Sequence, residues 1–235
     1  LEQFAAGRRF AHVFHGLPNI GGRFSALSNF GLVPAAAAGV NISQILERAR
    51  GMRSRCTPEN PASENPGVLL GISMAMAIEK GLDKLTLVSS ARFHGLGAWI
   101  EQMLAESTGK DGTGVVPIGQ EALAEPAVYG YDRLFVYLRN TVSPEPDQEE
   151  RITSLRRAGK PVIEINLRDG YDVGSELFRW EVATAVAASI LSVNPFNQPD
   201  VEASKRETLR FTEGYTRDGT FPEEKSQCVD TVGGL

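Results

Sequence analysis

The sequence predicts a doubly wound α/β domain, with a mainly parallel sheet flanked by helices. Two observations point there. Short apolar runs alternate along the chain with longer segments of helical pattern, as βαβ units require. The run at residues 82–89 is apolar through its middle and ends in small polar residues, the pattern of a buried parallel strand whose carboxyl end meets a site.

Taken in order, residues 11–14 read as a short strand and 18–23 as a Gly-rich loop. Residues 25–38 are small and apolar on several faces, which predicts a buried helix packed closely on the sheet, with Pro34 a kink and Gly39 a stop. The run Ala35 to Ala38 fits the same close packing. A helix over 41–50 takes Asn41 as its cap. Residues 57–66, rich in Pro, Asn and Glu, predict an exposed loop, and 67–80 a helix rich in Ala, Met and Ile. Beyond the strand at 82–89 come a helix at 96–106, a strand at 114–118 and another at 133–139. Residues 146–158 start acidic and end basic, matching a helix dipole; 161–167 is a further strand and 171–191 a long apolar helix. From Glu213 onward the pattern is polar and weak, and no chemistry is assigned there.

A chain of 235 residues suffices for one large domain, and its 42% hydrophobic and 23% charged content is that of a globular protein rather than a disordered one. No apolar run reaches the roughly 18 residues that span a bilayer, so no membrane partner is expected. The net charge of −5 with interleaved signs leaves no broad basic face, which argues against nucleic acid. Cys56 and Cys228 fit no ligand spacing and are read as reduced thiols of a cytosolic protein, a disulfide between them being the alternative. The opening Leu1-Glu2-Gln3-Phe4 has neither charged leader nor apolar signal core, and a start within a longer gene is expected.

Chemistry concentrates in three segments. In Ala105-Glu106-Ser107-Thr108-Gly109-Lys110 a carboxylate closes an amphipathic helix, where the negative end of the helix dipole poises it to accept a proton. A lone Glu at a helix end is ordinarily just solvated. Gly21-Gly22-Arg23 sets a guanidinium after two residues that allow close backbone approach, suited to stabilising a developing oxyanion. Its bland reading is a tight turn with a solvated Arg. Asn197-Gln198-Pro199 resembles a helix start with an open polar end that attracts phosphate, and Lys205 lies two turns on, on the face of Gln198. No metal cluster is visible, and Ser107-Thr108-Gly109-Lys110-Asp111-Gly112 lacks the Walker glycine pattern, so a nucleotide triphosphatase is rejected.

As a set, these segments resemble phosphoglucose isomerase (glucose-6-phosphate isomerase), in particular the isomerase part of bifunctional transaldolase/phosphoglucose isomerase fusions, over residues 10–205. The resemblance implies a flavodoxin-like sugar-isomerase (SIS) domain at 1–212, the second of two, with 213–235 a polar tail leading to a further C-terminal segment. It implies interconversion of glucose 6-phosphate and fructose 6-phosphate through a cis-enediolate, in the cytoplasm, by a homodimer needing no cofactor and no metal. Glu106 matches the family's proton-shuttling glutamate, Arg23 the arginine that stabilises the enediolate, and Lys205 the lysine that assists ring opening. Gly22, Gln102 and Gln198 match substrate contacts. The family's ring-opening histidine has no counterpart motif: His12, His15 and His94 lie elsewhere, and His94 is expected to pack or cap locally. The alternatives are a non-catalytic sugar-phosphate-binding regulatory domain of the same fold, an isomerase of another sugar phosphate, and an α/β interaction domain.

Overall fold

The computed structural model describes residues 2–221. Cys228 and the end of the polar tail lie outside them. In order the elements are α1 Glu2–Gly7, α2 Asn29–Ala37, α3 Ile42–Arg55, α4 Pro66–Glu79, β1 Lys84–Ser89, α5 His94–Thr108, β2 Val116–Gly119, β3 Arg133–Asn140, α6 Pro146–Arg157, β4 Val162–Leu167, α7 Val173–Ile190 and α8 Pro199–Asp218. The chain divides into two compact units, Leu1–Phe196 and Asn197–Leu235.

In the first unit the four strands form one sheet in the order β2-β1-β3-β4, every pair parallel. This is the α/β architecture that the alternation of patterns predicts. Residue alternation assigns the two faces. Leu85, Leu87, Leu134, Val136, Leu138 and Ile165 share one core with α4, α5 and α7. Val88, Phe135 and Tyr137 share the other with Ile152 and Leu155 of α6. The crossover through α5 moves from β1 to one edge and that through α6 from β3 to the other. Right-handed crossovers in opposite directions put their helices on opposite faces, as seen.

Local chemistry sets the boundaries. Asn41 caps α3 by accepting from the Gln44 N–H at 3.3 Å, and the nearly buried Asn65 caps α4 by accepting from the Val68 N–H at 3.1 Å, with Pro66 at the first helical position. Helices α3 and α4 both pack on α7 at backbone distance. A Cβ on Gly174 would stand 2.2 Å from the Ile45 carbonyl oxygen, and one on Gly71 2.6 Å from that of Ala183. Glycine is therefore required at both positions.

Three expectations are corrected. Residues 11–14 form no strand; they are exposed, because a strand exists only by pairing and no described strand lies beside them. The helix expected at 25–38 is limited to Asn29–Ala37, capped by Ser28 and ended by Gly39 at φ 82°, and none of its residues is buried. Its small residues do not pack on the sheet, whose face is already covered by α4, α5 and α7. The pattern read as a weak tail from Glu213 continues as α8 to Asp218.

Helix α7 buries the Glu176 carboxylate and half-buries that of Glu181. Burial pushes Glu176 up to about 7, against the pull of the Arg179 guanidinium 3.2 Å from its Oε1, and pushes Glu181 up to about 8. Folded carboxyls that hold protons more tightly than unfolded ones stabilise the protein at low pH, and that stability is lost as pH rises through the folded values. Urea unfolding is expected to show stability falling from about pH 5 to about pH 8, with Glu181→Gln flattening the slope. A second comparison tests the helix contacts: Gly174→Ala should cost about 1–3 kcal/mol by overpacking. Gly51→Ala, in open space on α3, should instead gain about 0.5–1 kcal/mol by propensity, both read from denaturant midpoints.

Candidate active site

The carboxyl end of α5 is built to stop. The Thr108 hydroxyl donates to the Leu104 carbonyl at 2.8 Å and accepts from the Val115 N–H at 2.9 Å, tying the last helical turn to the start of β2. Past Gly109, Lys110 and Thr113 exchange backbone hydrogen bonds of 3.1 and 3.0 Å across Asp111 and Gly112, at φ 54° and 77°. Two successive positive φ values with an Asp-Gly pair make a type I′ turn.

Glu106 sits two residues before this end, about a third exposed. Gln102, one turn earlier on the same face, donates from Nε2 to its Oε1 at 3.1 Å. Arg23 brings Nε to 3.6 Å from Glu106 Oε2 and donates from Nη1 to the Ser107 hydroxyl at 2.8 Å. The Arg23 side chain is only 7% exposed; burial draws its guanidinium below the ordinary value while the charge of Glu106 pushes back. Gly22 opens a single 3₁₀ turn, Gly22–Phe24, closed by the Ser25 hydroxyl donating to the Gly22 carbonyl at 2.7 Å. A Cβ on Gly21 or Gly22 would meet nothing within 4 Å, so the backbone beside Arg23 is open. Four of the six sequence-predicted site residues, Gly22, Arg23, Gln102 and Glu106, thus fall within one cluster, a partly exposed carboxylate beside a buried cation.

Gln198 and Lys205 belong to the second unit. Gln198 is the N-cap of α8; its carbonyl accepts from the Glu202 N–H at 3.0 Å, and its side chain makes no capping bond. Lys205 lines a groove of about 530 Å³ along α8 with Val201, Ser204, Thr208, Leu209 and Thr212. The first turn of α8 carries Asp200 and Glu202, which offset the anion attraction expected of an open helix start.

The placement of Glu106 differs from the general rule for such folds. A crossover helix returns antiparallel to its strands, so α5 ends at the amino-terminal edge of the sheet, where Val116 N–H bonds the Asp83 carbonyl at 2.8 Å. The carboxyl edge holds instead a cleft of about 770 Å³ between the loops that follow β1, β2 and β3, lined by Ser89, His94, Gln120, Glu145 and Gln148 among others. His94 begins α5 and is exposed along this cleft, so of the two local roles expected of it, packing or capping, its exposure argues against packing. Among the described residues no three His, Cys, Asp or Glu side chains converge on a metal-sized point, and no helix is long and apolar enough to cross a membrane. Sequence reasoning passed over the acceptor Ser107 and the aromatic pair Phe24–Phe196, centroids 5.0 Å apart. The one usable signal was that Ser107 follows Glu106 directly.

Curated relatives match most of the chain. A glucose-6-phosphate isomerase of Carboxydothermus hydrogenoformans is 31% identical over 90% of the chain and 54% of its own length. Another, of Rubrobacter xylanophilus, is 31% identical over 81% of the chain and 52% of its own. The similarity is to glucose-6-phosphate isomerases. The chain spans about half the length of the curated relatives it matches. Among solved structures, a hypothetical protein from Thermus thermophilus superposes with a TM-score of 0.76 at 24% identity, over 88% of this chain and 59% of its own. A glucose-6-phosphate isomerase from Chlamydia trachomatis does so with a TM-score of 0.69 at 18% identity, over 92% and 51%. At these identities the superpositions establish the fold, which this chain shares with a glucose-6-phosphate isomerase. No family model matches the chain.

The Arg23 to Ser107 bond is directly testable. Ser107→Ala removes a hydroxyl that accepts from the buried Arg23 guanidinium and is expected to cost about 1–3 kcal/mol, read by urea unfolding.

Proposed function

We propose that the protein is a glucose-6-phosphate isomerase, a cytoplasmic aldose–ketose isomerase of glycolysis and gluconeogenesis, to which this chain contributes the second sugar-isomerase domain at 1–212. The observation that carries the reading is the Arg23–Glu106 pair: a carboxylate open to solvent, held by Gln102, with a buried guanidinium 3.6 Å away. The similarity to curated isomerases across most of the chain supports it.

In this reading Glu106 takes the proton from C2 of the open-chain aldose as the C1 carbonyl gains charge, giving the cis-enediolate, and returns it to C1 once a proton has passed from O2 to O1, so that the carbonyl of the ketose forms at C2. One base serving two adjacent carbons needs no cofactor. Arg23 faces the oxygen on which negative charge develops, and its burial strengthens that interaction by keeping water away. Gln102 keeps the carboxylate oriented, and Gly22 leaves room for the sugar. The resemblance assigns Lys205 to ring opening and Gln198 to the substrate's phosphate end. A homodimer, and a transaldolase module upstream, are its further extensions; sedimentation and a transaldolase assay of the full-length protein check them.

The test is conversion of fructose 6-phosphate to glucose 6-phosphate by the full-length protein, coupled to a dehydrogenase. Glu106→Gln is expected to lower kcat at least about 100-fold, and an unaffected variant would remove the base assignment. Arg23→Met should cost about 10²- to 10³-fold in kcat, the scale of losing one preorganised oxyanion donor. Binding of the sugar phosphate with no turnover would favour the regulatory-domain alternative.

A further inference from the structure

The proton-transfer reading leaves one charged residue of the Glu106 segment without a task. Lys110 is 8% exposed, and its amino group donates to two backbone carbonyls, Ser107 at 3.1 Å and Asn194 at 2.5 Å. The first carbonyl belongs to the last turn of α5. The second lies past the end of α7, in Asn194-Pro195-Phe196. Lys110 therefore ties the helix end that carries Glu106 to a segment 84 residues away in sequence.

The tie closes a ring of contacts. Arg23 holds the Ser107 hydroxyl; the Ser107 carbonyl holds Lys110; Lys110 holds Asn194. Two residues on, the Phe196 ring packs on Phe24, the neighbour of Arg23, with centroids 5.0 Å apart. Ser107 is the hub, its side chain accepting from one cation and its carbonyl from another. The backbone of Lys110 is already pinned by the type I′ turn, so only the side chain must be ordered for the ammonium to reach its seat. Resting on the isomerase reading, we infer that Lys110 is a positioning residue, whose ammonium fixes the end of α5 so that the Glu106 carboxylate stands beside Arg23 in the geometry proton transfer requires.

A cation at a helix carboxyl terminus also stabilises the helix, and that role alone would lower thermal stability without touching the chemistry. The two are separated by kinetics and by the fate of the transferred hydrogen. In the full-length protein, Lys110→Met keeps the stem and removes the ammonium. Expected is a loss in kcat of about 10- to 100-fold with KM within about threefold, since displacement of about 1 Å at a reacting group costs on that order. With glucose 6-phosphate deuterated at C2, the fraction of deuterium delivered to C1 of fructose 6-phosphate should fall, because a loosened Glu106 exchanges its proton with water before returning it. Lys110→Arg, which keeps a cation with several donors, should recover most of the kcat. Should Lys110→Met not fold, Lys110→Gln carries the test, with a kcat loss of at least about fivefold expected.

A variant that melts earlier but keeps kcat and deuterium transfer unchanged would overturn the positioning role while leaving the isomerase reading intact. Absence of turnover in the unsubstituted full-length protein would overturn the isomerase reading, and this inference with it.

Discussion

A parallel sheet must be covered on both faces, and nearly everything in the first unit follows from that requirement. Parallel neighbours cannot be joined by tight turns, so the β1–β2 and β3–β4 connections carry α5 and α6 back along the sheet to its amino-terminal edge, while the β2–β3 connection passes β1 with only a short 3₁₀ turn, Pro126–Val128. Because β1 is followed by a crossover toward one edge and β3 by one toward the other, α5 and α6 are driven to opposite faces. The glycines of α4 and α7 let the remaining helices approach α7 and its neighbours at backbone distance and complete the cover. Glu106 inherits its position from this: the last residues of α5 meet the start of β2, far along the sheet from the cleft at its carboxyl edge.

The same constraint determines what must be added to make a reactive cluster. At the amino-terminal edge the turn after α5 lies beside the loops entering β1 and β3, near Asp83 and Asp132, and the polar partners of the helix end come from distant sequence. Arg23 arrives from an exposed, largely irregular amino-terminal segment, and Asn194 and Phe196 from the far end of α7. Two cations converge on Ser107 and satisfy its hydroxyl and carbonyl, so the helix end is neutralised by charge rather than by water. With Arg23 buried and Glu106 partly open, the pair offers a solvent-reachable base against a sheltered positive charge. In the isomerase reading proposed above, that asymmetry suits an enolisation, in which the base meets substrate while the cation stays dry enough to act strongly.

Much of the fold was legible because its signals are local. The strands at Lys84–Ser89, Arg133–Asn140 and Val162–Leu167 are apolar runs between helical segments, and Asn41 and Gly39 mark boundaries by their own hydrogen-bonding or conformational preferences. The misreadings occurred where a pattern depends on a partner. Residues 11–14 have the composition of a strand but nothing to pair with, and the small residues of α2 read as close packing although the sheet face they would fill is taken by other helices. At the site, Glu106, Gln102 and Arg23 were identifiable from their motifs, whereas Ser107 and Lys110 were not. A hydroxyl and an ammonium beside a turn are ordinarily solvated, and the contacts that tie them to distant sequence come only with the arrival of Arg23 and Asn194.

The sequence by itself determined the α/β class, the alternation of elements, the helix caps and the identity of the residues able to carry charge, because each depends on neighbours within a few positions. The tertiary structure alone decided which edge of the sheet bears Glu106, which face each helix covers, and that Arg23, Ser107, Lys110 and Asn194 form a connected set. These are contacts between segments up to 84 residues apart, and no local preference encodes them. They form because buried polar groups must find partners, and folding brings those partners from elsewhere in the chain.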